Sequence, residues 1–286
     1  MARLMRSLIF VPGNNSRFLE KAKTLDADIV CFDLEDSVPA AEKDSARNLI
    51  KNALIKRPEY KAEVYVRTNS PLSGLILADL SKIIQKGIDG IVIPKVNNVK
   101  ELKKIEKLLT SLEKKHKLKP IEIIPSIESA EGVVNAYNIA SSSKRVSALV
   151  FGVFDLLNDM GIEYVKQSEG AKYARSKIPI DAKASGKYAI DAIWQDLNDD
   201  AGLIEDCKIG RNLGYVGKSI IHPNQIPVAH KIFYPSQAEI EWAEKVYQAY
   251  VESTKKNKGA TLVEGKMIDE VHFKRAKTLL DSVRRT

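Results

Sequence analysis

The sequence predicts a closed (β/α)8 TIM barrel followed by a C-terminal helical extension. Short apolar segments alternate with amphipathic segments at a spacing of roughly 30 residues, which is typical of a parallel sheet with crossover helices. The chain has 286 residues, slightly more than the roughly 250 of a typical barrel of this kind. No G-x-G-x-x-G or P-loop motif follows a strand, which disfavours an open nucleotide-binding sheet. We therefore expect the barrel at residues 1–232 and the extension at residues 233–286.

The eight predicted strands are short runs rich in Val and Ile, and they lie at residues 7–11, 28–34, 63–67, 90–94, 121–125, 148–152, 188–193 and 216–221. Apolar residues at helical spacing predict helices between them, at residues 16–25, 40–56, 75–86, 99–115, 130–141, 170–185 and 200–213. Asn15 or Ser16 is a good N-cap for the first helix. Pro179 predicts a kink or a break in the sixth.

The extension contains two further predicted helices, at residues 236–255 and 269–284, separated by a polar segment that contains glycine. This extension exceeds what a barrel requires. It could serve as a packing cap, as a lid, or as an arm that reaches a neighbouring subunit.

The composition is that of a globular protein, with 44% hydrophobic and 29% charged residues. No apolar run approaches the roughly 18 residues of a spanning helix, and the first one is interrupted by Pro12 and Gly13, so we expect neither a signal peptide nor a membrane partner. Two cysteines cannot form a disulfide framework, and Cys31 lies in an apolar run. A cytoplasmic location is therefore expected.

The net charge of +8 raises the question of nucleic-acid binding. The densest lysine run has the apolar spacing of an amphipathic helix, which indicates a solvated helix face. No aromatic-rich surface or nucleic-acid-binding motif accompanies it, so no nucleic-acid partner is expected. An anionic ligand explains the charge equally well.

Ionisable side chains follow seven of the eight predicted strands, while the strand bodies hold few. They include Asp33, Glu35 and Asp36 after strand two, Arg67 at the end of strand three, Lys95, Glu128, Asp155, Asp191, Asp196 and His222. The C-terminal ends of barrel strands meet on one face, where active sites lie. Any one of these residues could be a loop charge or a helix cap, but together they indicate a functional site.

Glu128 and Asp155 follow neighbouring strands, so their carboxylates can meet above the barrel. Two close carboxylates repel unless a cation or a proton lies between them. Mg²⁺ suits such a pair because it takes one or two carboxylates and completes its shell with water and substrate oxygens. Mn²⁺ could take its place. The four histidines are scattered, which disfavours zinc.

Arg67 would face the same space, where a guanidinium could hold a carboxylate or a thioester enolate oxygen. A buried salt bridge to Glu35 or Asp36 is the competing interpretation, and the two are compatible. Asp33, Glu35, Asp36 and Asp159 are either groups that orient metal-bound waters or partners for Lys and Arg, and the sequence does not separate the two.

Several motifs occur together, in the order "RSLIFVPGNN", "DLEDSVPAAEKDSAR", "VRTN", "IESAEGV", "FGVFDLLNDMG", "IHPNQ" and "GKMIDEVHFKRA". In this combination the sequence resembles the CoA-ester lyases, a family that includes the citrate lyase β-subunit, malyl-CoA lyase and citramalyl-CoA lyase. The resemblance spans about residues 6–283. It implies a Mg²⁺-dependent barrel that makes or breaks a C–C bond beside a thioester.

By this resemblance, Glu128 and Asp155 would bind the metal and Arg67 would bind the substrate. Asp269 would be an acid/base residue that the arm delivers to a neighbouring subunit, which implies a homotrimer or hexamer. The substrate would be a CoA thioester or an acyl-carrier-bound thioester, together with a 2-oxo acid.

Residues near the CoA channel follow from the same resemblance. Lys218, His222 and Pro223 match a segment that lines the channel, and Lys21 and Lys43 match phosphate or carboxylate contacts. The sequence departs from the family in the arm, where Glu270 and Val271 replace prolines and Glu264 replaces an aspartate.

The favoured function is cleavage of malyl-CoA or citramalyl-CoA to acetyl-CoA and glyoxylate or pyruvate. The alternatives are a citrate lyase β-subunit acting on a citryl thioester of an acyl carrier protein, a malyl-CoA thioesterase, a metal-dependent aldolase, and a non-catalytic basic binding protein. The last is disfavoured because Arg67, Glu128, Asp155 and Asp269 are all present.

Overall fold

The computed structural model describes residues 4–166, 169–255 and 259–283 and confirms the barrel. Eight parallel strands close on themselves in chain order: β1 (Ser7–Pro12), β2 (Ile29–Asp33), β3 (Glu63–Arg67), β4 (Gly90–Ile93), β5 (Glu122–Ile127), β6 (Ala148–Phe151), β7 (Tyr188–Asp191) and β8 (Gly217–Ile220). The barrel closes where Ser7 of β1 pairs with Lys218 of β8.

The helices that accompany the barrel are α1 (Ser16–Ala22), α2 (Lys43–Ile55), α3 (Ile76–Ile83), α4 (Val99–His116), α5 (Ala130–Ser141), α6 (Val153–Asp159), α7 (Glu169–Ala184), α8 (Asp200–Leu213) and α9 (Ile226–Phe233). Their starts follow local chemistry. Asn15, Asn98, Ser129 and Asp199 each cap a helix by accepting a backbone N–H in the first turn.

The barrel interior is filled by inward-facing side chains of the strands, among them Leu8, Ile29, Tyr65, Ile124 and Ile190, all of which are fully buried. The fit is close enough to require glycine at one point: a Cβ at Gly90 would lie 2.1 Å from the Tyr65 ring. Cys31 is buried and free, as its apolar run predicts.

Three helices that accompany the barrel differ from the sequence-based prediction. Helix α6 follows β6 directly and places Asp155 in its first turn, where the sequence indicates only a turn. Helix α9 follows β8 and was not expected. The break predicted at Pro179 is wrong, because α7 continues through this buried proline. Packing of the helix outweighs the loss of one backbone hydrogen bond.

The residues from Lys231 onward group into a second compact unit, separate from the unit Met5–His230. It contains α10 (Gln237–Lys255), an antiparallel hairpin of β9 (Thr261–Val263) and β10 (Lys266–Ile268), and α11 (Glu270–Val283). The hairpin replaces what the sequence predicts as a polar connection. The division of the chain at residue 232 into a catalytic barrel and a C-terminal arm remains a prediction.

The second unit has a small core of its own, in which Val246, Val263, Ile268 and Leu280 are buried. Phe273 stacks between Tyr247 and Tyr250, with ring centroids 5.1 and 4.8 Å away. Within the described ranges, none of the helices has the length and apolar character needed to cross a bilayer.

Candidate functional site

Arg67 is held at the mouth of the barrel by the strand that precedes its own. Asp33 and Arg67 are paired at the ends of β2 and β3. The Arg67 Nε and Nη2 atoms donate to the two Asp33 carboxylate oxygens at 2.6 and 2.7 Å, and the guanidinium lies 4.6 Å from the centre of the Phe10 ring. This bidentate arrangement fixes the orientation of the arginine.

The Asp33 side chain of this ion pair is fully buried. Burial alone would raise the pKa of Asp33, but the Arg67 charge, together with hydrogen bonds from Arg67, Ser37 and the Glu35 N–H, lowers it to about 2. Asp33 therefore acts as an ion-pair partner and as the organiser of the following turn. Lys43 supports the same turn by donating to the carbonyl oxygens of Leu34 and Glu35 at 2.6 and 2.7 Å.

Glu128 and Asp155 both line one cavity of about 330 Å³ at the C-terminal ends of the strands, which we call the strand-end cavity. Arg67, Asp36 and Ser219 also line it, and its apolar wall is formed by Phe10, Val150, Phe151 and Ile193. The structure thus brings the two candidate metal ligands and the candidate substrate arginine to the same space.

Glu128 is 6% exposed, and its Oε2 atom is buried without a hydrogen-bond partner. Burial, and to a lesser extent the charges of Glu35 and Asp155, raise the pKa of Glu128 to about 8, with Arg67 and Lys95 acting in the opposite direction. A buried carboxylate oxygen without a donor is costly. A cation would remove that cost.

Gly152 creates the space in which Glu128 lies. A Cβ at position 152 would be 2.4 Å from Glu128 Cγ and 2.9 Å from its Oε1. The Gly152 N–H donates to the Ile127 carbonyl at 3.1 Å, which holds the end of β6 against the end of β5. Any larger residue at this position would displace the carboxylate.

Helix α6 carries two of the predicted acidic residues one turn apart. Asp155 reaches the strand-end cavity with 37% of its side chain exposed. Asp159 accepts the Ala130 N–H at 2.8 Å, at the start of α5 and two residues after Glu128. Asp159 therefore braces the backbone beside Glu128.

Lys95, which the sequence analysis placed at a strand end without a role, completes the group of charges. Its Nζ atom lies 3.1 Å from Glu35 Oε1, 3.3 Å from Asp155 Oδ1 and 3.7 Å from Asp36 Oδ1. Arg67 Nη1 lies 3.3 Å from Glu35 and 3.2 Å from Asp36, so the salt-bridge interpretation of Arg67 is correct.

Burial and the neighbouring charges act in opposite directions on the pKa of Glu35. Burial and the neighbouring Asp36 raise the pKa of Glu35 to about 7, although Arg67 and Lys95 act to lower it. Burial likewise opposes the charged form of Lys95, but the surrounding carboxylates hold its pKa above the ordinary value.

The carboxylates at the strand-end cavity suit a magnesium ion, which also takes water and substrate oxygens as ligands. They suit less well a metal ion whose ligands all come from the protein. Across the described ranges, no group of three or more His, Cys, Asp or Glu side chains is arranged to hold a metal ion. The cavity supplies two carboxylates and open space, and Mg²⁺ commonly binds through one or two carboxylates with water and substrate oxygens as its other ligands. The unpartnered Glu128 Oε2 is the observation that favours this fit.

Lys218 is not placed to contact a ligand, and its assignment to the CoA channel is wrong. Its side chain is 0% exposed, and its Nζ atom forms ion pairs with Asp191 and Asp206. Asp191 is also paired with Arg175. Lys218 therefore belongs to a buried ion network between the barrel and helices α7 and α8.

The other predicted channel residues lie nearer the surface. Lys21 is exposed on α1, and His222 and Pro223 are half-buried after β8. The His222 Nδ1 atom accepts the Asn224 N–H at 3.3 Å, so His222 caps the short turn that begins at Pro223. Their contact with a ligand stays a prediction.

Asp269 lies at the start of α11, in the second unit. Its Oδ1 atom contacts His272 Nδ1 at 2.6 Å and accepts the Val271 N–H at 3.0 Å. These hydrogen bonds lower the pKa of Asp269, which in this unit is therefore a carboxylate. Its proposed delivery to a neighbouring site stays a prediction.

A (β/α)8 barrel with a carboxylate pair and a fixed arginine at its strand ends defines the class of this protein. The chain belongs to the HpcH/HpaI aldolase/citrate lyase family, whose model matches residues 6–223. This confirms the family resemblance.

Curated relatives extend the similarity over nearly the full chain. The chain is 33% identical to the citrate lyase subunit beta of Haemophilus influenzae, over 98% of this chain and 97% of that protein. It is 34% identical to the human mitochondrial citramalyl-CoA lyase, over 98% and 86%, and 33% identical to a (3S)-malyl-CoA thioesterase of Cereibacter sphaeroides, over 98% and 94%.

Among solved structures, the protein CitE of Mycobacterium tuberculosis in complex with magnesium, acetoacetate and coenzyme A superposes with a TM-score of 0.78. The two chains are 27% identical, and the match covers 98% of each.

Proposed function

We propose that this protein is a Mg²⁺-dependent lyase that cleaves or forms the C–C bond of a 3-hydroxyacyl-CoA such as malyl-CoA or citramalyl-CoA. The products of cleavage are acetyl-CoA and a 2-oxo acid, glyoxylate or pyruvate. The observation that carries the proposal is the buried, unpartnered Glu128 Oε2 in the same cavity as Asp155 and Arg67. The relative from M. tuberculosis, with magnesium and coenzyme A bound, supports it.

Glu128 and Asp155 hold the metal in this proposal. Bound there, Mg²⁺ would orient the 2-oxo acid portion of the substrate and stabilise negative charge on its oxygen. Mn²⁺ offers similar coordination and is expected to substitute.

Arg67 contributes a fixed positive charge at the thioester. Asp33 engages Nε and Nη2, whereas Nη1 lies 3.3 Å from Glu35 and 3.2 Å from Asp36. In this proposal a substrate oxygen would approach Nη1 on the side of the strand-end cavity and share it with these carboxylates. Once a base has taken the 3-hydroxyl proton, the hydroxyl carbon becomes the carbonyl of the 2-oxo acid as the C–C bond breaks. The acetyl thioester then leaves as an enolate, and a preorganised guanidinium stabilises the charge that develops on its oxygen.

Asp269 supplies the proton transfer, delivered from the arm of a neighbouring subunit. The hairpin and helix around Asp269 expose Leu262, Met267 and Val271 at 65–71% of their surface, as an apolar docking surface requires. Burial of Asp269 on docking would raise its pKa and allow it, once protonated, to protonate the enolate carbon near neutral pH. This arrangement requires an oligomer, and the family resemblance implies a homotrimer or hexamer.

The similarity to known relatives does not rank the possible reactions. Relatives named as a citrate lyase subunit, a citramalyl-CoA lyase and a malyl-CoA thioesterase are 33%, 34% and 33% identical to this chain. A citryl thioester carried by an acyl carrier protein is therefore the second candidate substrate, and thioester hydrolysis is the second candidate reaction.

Product analysis separates these candidates. Purified protein is supplied with malyl-CoA, citramalyl-CoA or citryl-CoA, with Mg²⁺ or with EDTA, and Glu128→Gln is the matched control. EDTA-sensitive formation of acetyl-CoA and a 2-oxo acid is expected. Release of free malate and CoA would show a thioesterase instead, and no reaction with any of the three would favour an acyl-carrier substrate.

A further inference from the structure

Lys95 has a backbone conformation that is unusual for its residue type. It follows Pro94 at the end of β4 with φ of 53°, in the left-handed region that favours glycine. The next residue, Val96, is buried, and its N–H donates to the Ser126 carbonyl at 3.2 Å. The chain therefore turns sharply at a lysine, and such outliers cluster at functional sites.

The Lys95 ammonium group lies among carboxylates that come from two parts of the barrel. Glu35 and Asp36 follow β2, whereas Asp155 follows β6, and all three have an oxygen within 3.7 Å of Nζ. One of them, Asp155, is a proposed metal ligand. Without a metal ion, the lysine is thus the cation that neutralises this carboxylate.

We propose that Lys95 competes with the divalent cation for Asp155, and that its ammonium group sets the affinity of the strand-end cavity for Mg²⁺. This inference rests on the proposed function, because it takes Glu128 and Asp155 as the metal ligands. A divalent ion bound to Asp155 would stand beside the ammonium group, and the two cations repel each other. Metal binding is therefore coupled to movement of Lys95 away from Asp155.

The side chain is able to make this movement. Lys95 is 35% exposed, its stem is flexible, and Glu35 and Asp36 remain available to receive the ammonium group. Arg67 has no such freedom, because Asp33 engages two of its nitrogens and Phe10 lies against its face. Arg67 is thus a fixed cation of the site, whereas Lys95 can change its carboxylate partner.

Binding of Mn²⁺ alone, measured by electron paramagnetic resonance, tests the proposal without any turnover. Lys95→Met is expected to bind Mn²⁺ about tenfold more tightly than the unchanged protein, equivalent to about 1.4 kcal/mol. Lys95→Asn should do the same, and Asn adopts the left-handed conformation more readily. Lys95→Arg keeps the charge and should bind like the unchanged protein. Tightening is diagnostic because structural damage would weaken binding.

Two control variants distinguish failure of this inference from failure of the proposed function. Lys103→Met removes a lysine paired with Glu106 on α4, and Kd should stay within about twofold. Glu128→Gln should lose Mn²⁺ affinity. If Glu128→Gln binds normally, the metal site itself is wrong.

If Glu128→Gln fails to bind but both neutral Lys95 variants bind Mn²⁺ equally or more weakly than the unchanged protein, the competition is refuted and the metal site stands. Equal tightening in Lys103→Met would also refute it, since the effect would then reflect overall charge.

Discussion

Gly152→Ala should disable the metal site through a single methyl group. The added Cβ would stand 2.4 Å from Glu128 Cγ and 2.9 Å from Oε1, whereas carbon atoms in contact are about 3.5–4.0 Å apart. Glu128 must therefore move by about 1 Å. The backbone is not the obstacle, because φ at Gly152 is −113°, which alanine adopts freely.

The expected cost follows from that displacement. A shift of about 1 Å in a catalytic group can reduce the rate by about 100-fold, which corresponds to about 2.7 kcal/mol of transition-state stabilisation. We expect Gly152→Ala to lower kcat/KM for C–C cleavage of the hydroxyacyl-CoA by about this factor and to weaken Mn²⁺ binding. The fold should survive, because the strand-end cavity gives the displaced carboxylate room to move.

The assay compares kcat/KM, Mn²⁺ affinity and thermal stability in Gly152→Ala and in Gly259→Ala. Gly259 is the matched control, because no atom of the described residues lies within 4 Å of the Cβ that alanine would add there. Gly259→Ala should behave like the unchanged protein. If Gly152→Ala also retains full activity and metal affinity, Glu128 does not hold the metal in the position described.

The remaining predictions concern charges. Glu128 has a pKa of about 8, above its usual value of 4.5, so the folded state holds a proton that the unfolded state releases. In EDTA the free energy of unfolding should therefore fall as the pH rises through this interval, and denaturant titrations should show a weaker decline in Glu128→Gln; an equal decline would contradict the assignment. Lys218→Met should lower the free energy of unfolding by less than the roughly 3–5 kcal/mol of an unpaired buried charge, because Arg175 still pairs with Asp191 and Asp206, while KM for the CoA thioester stays unchanged; a raised KM in stable protein would restore a ligand role. Asp269→Asn should spare Mn²⁺ binding but abolish turnover, and mixing it with Arg67→Ala should recover part of the activity after subunit exchange. No recovery despite confirmed exchange would show that the site is not shared between chains.

The barrel was predictable because most strands are short, largely apolar runs and nearly every strand end holds polar residues. The acidic pair was predictable for the same reason: Glu128 and Asp155 follow adjacent strands, and parallel strands end on one face.

Side-chain direction was not predictable in the same way. Successive residues of a strand point to opposite faces, so β8 sends Ser219 to the strand-end cavity and Lys218 outward to α7 and α8. The sequence shows that a lysine is present but not which face it takes. Lys95 was placed at a strand end but given no role for a related reason, because its proposed part depends on a left-handed turn that sequence pattern does not reveal.

The second unit shows a different limit. Strands β9 and β10 have three residues each and join at Glu264 and Gly265, both with positive φ. A hairpin this short has too little periodicity to stand out from a polar connection.

The position of helix α6 bears on which ion the proposed metal site would prefer. Asp155 and Asp159 are one helical turn apart, and the second of them is tied to the backbone beside Glu128. The helix therefore links Asp155 to the backbone beside Glu128, so the two proposed metal ligands share one frame. If they hold the metal as we propose, this frame would resist the widening that Ca²⁺ needs for its longer bonds of about 2.3–2.6 Å, compared with about 2.0–2.1 Å for Mg²⁺. Preference for the smaller ion would then come from the scaffold rather than from the choice of ligands.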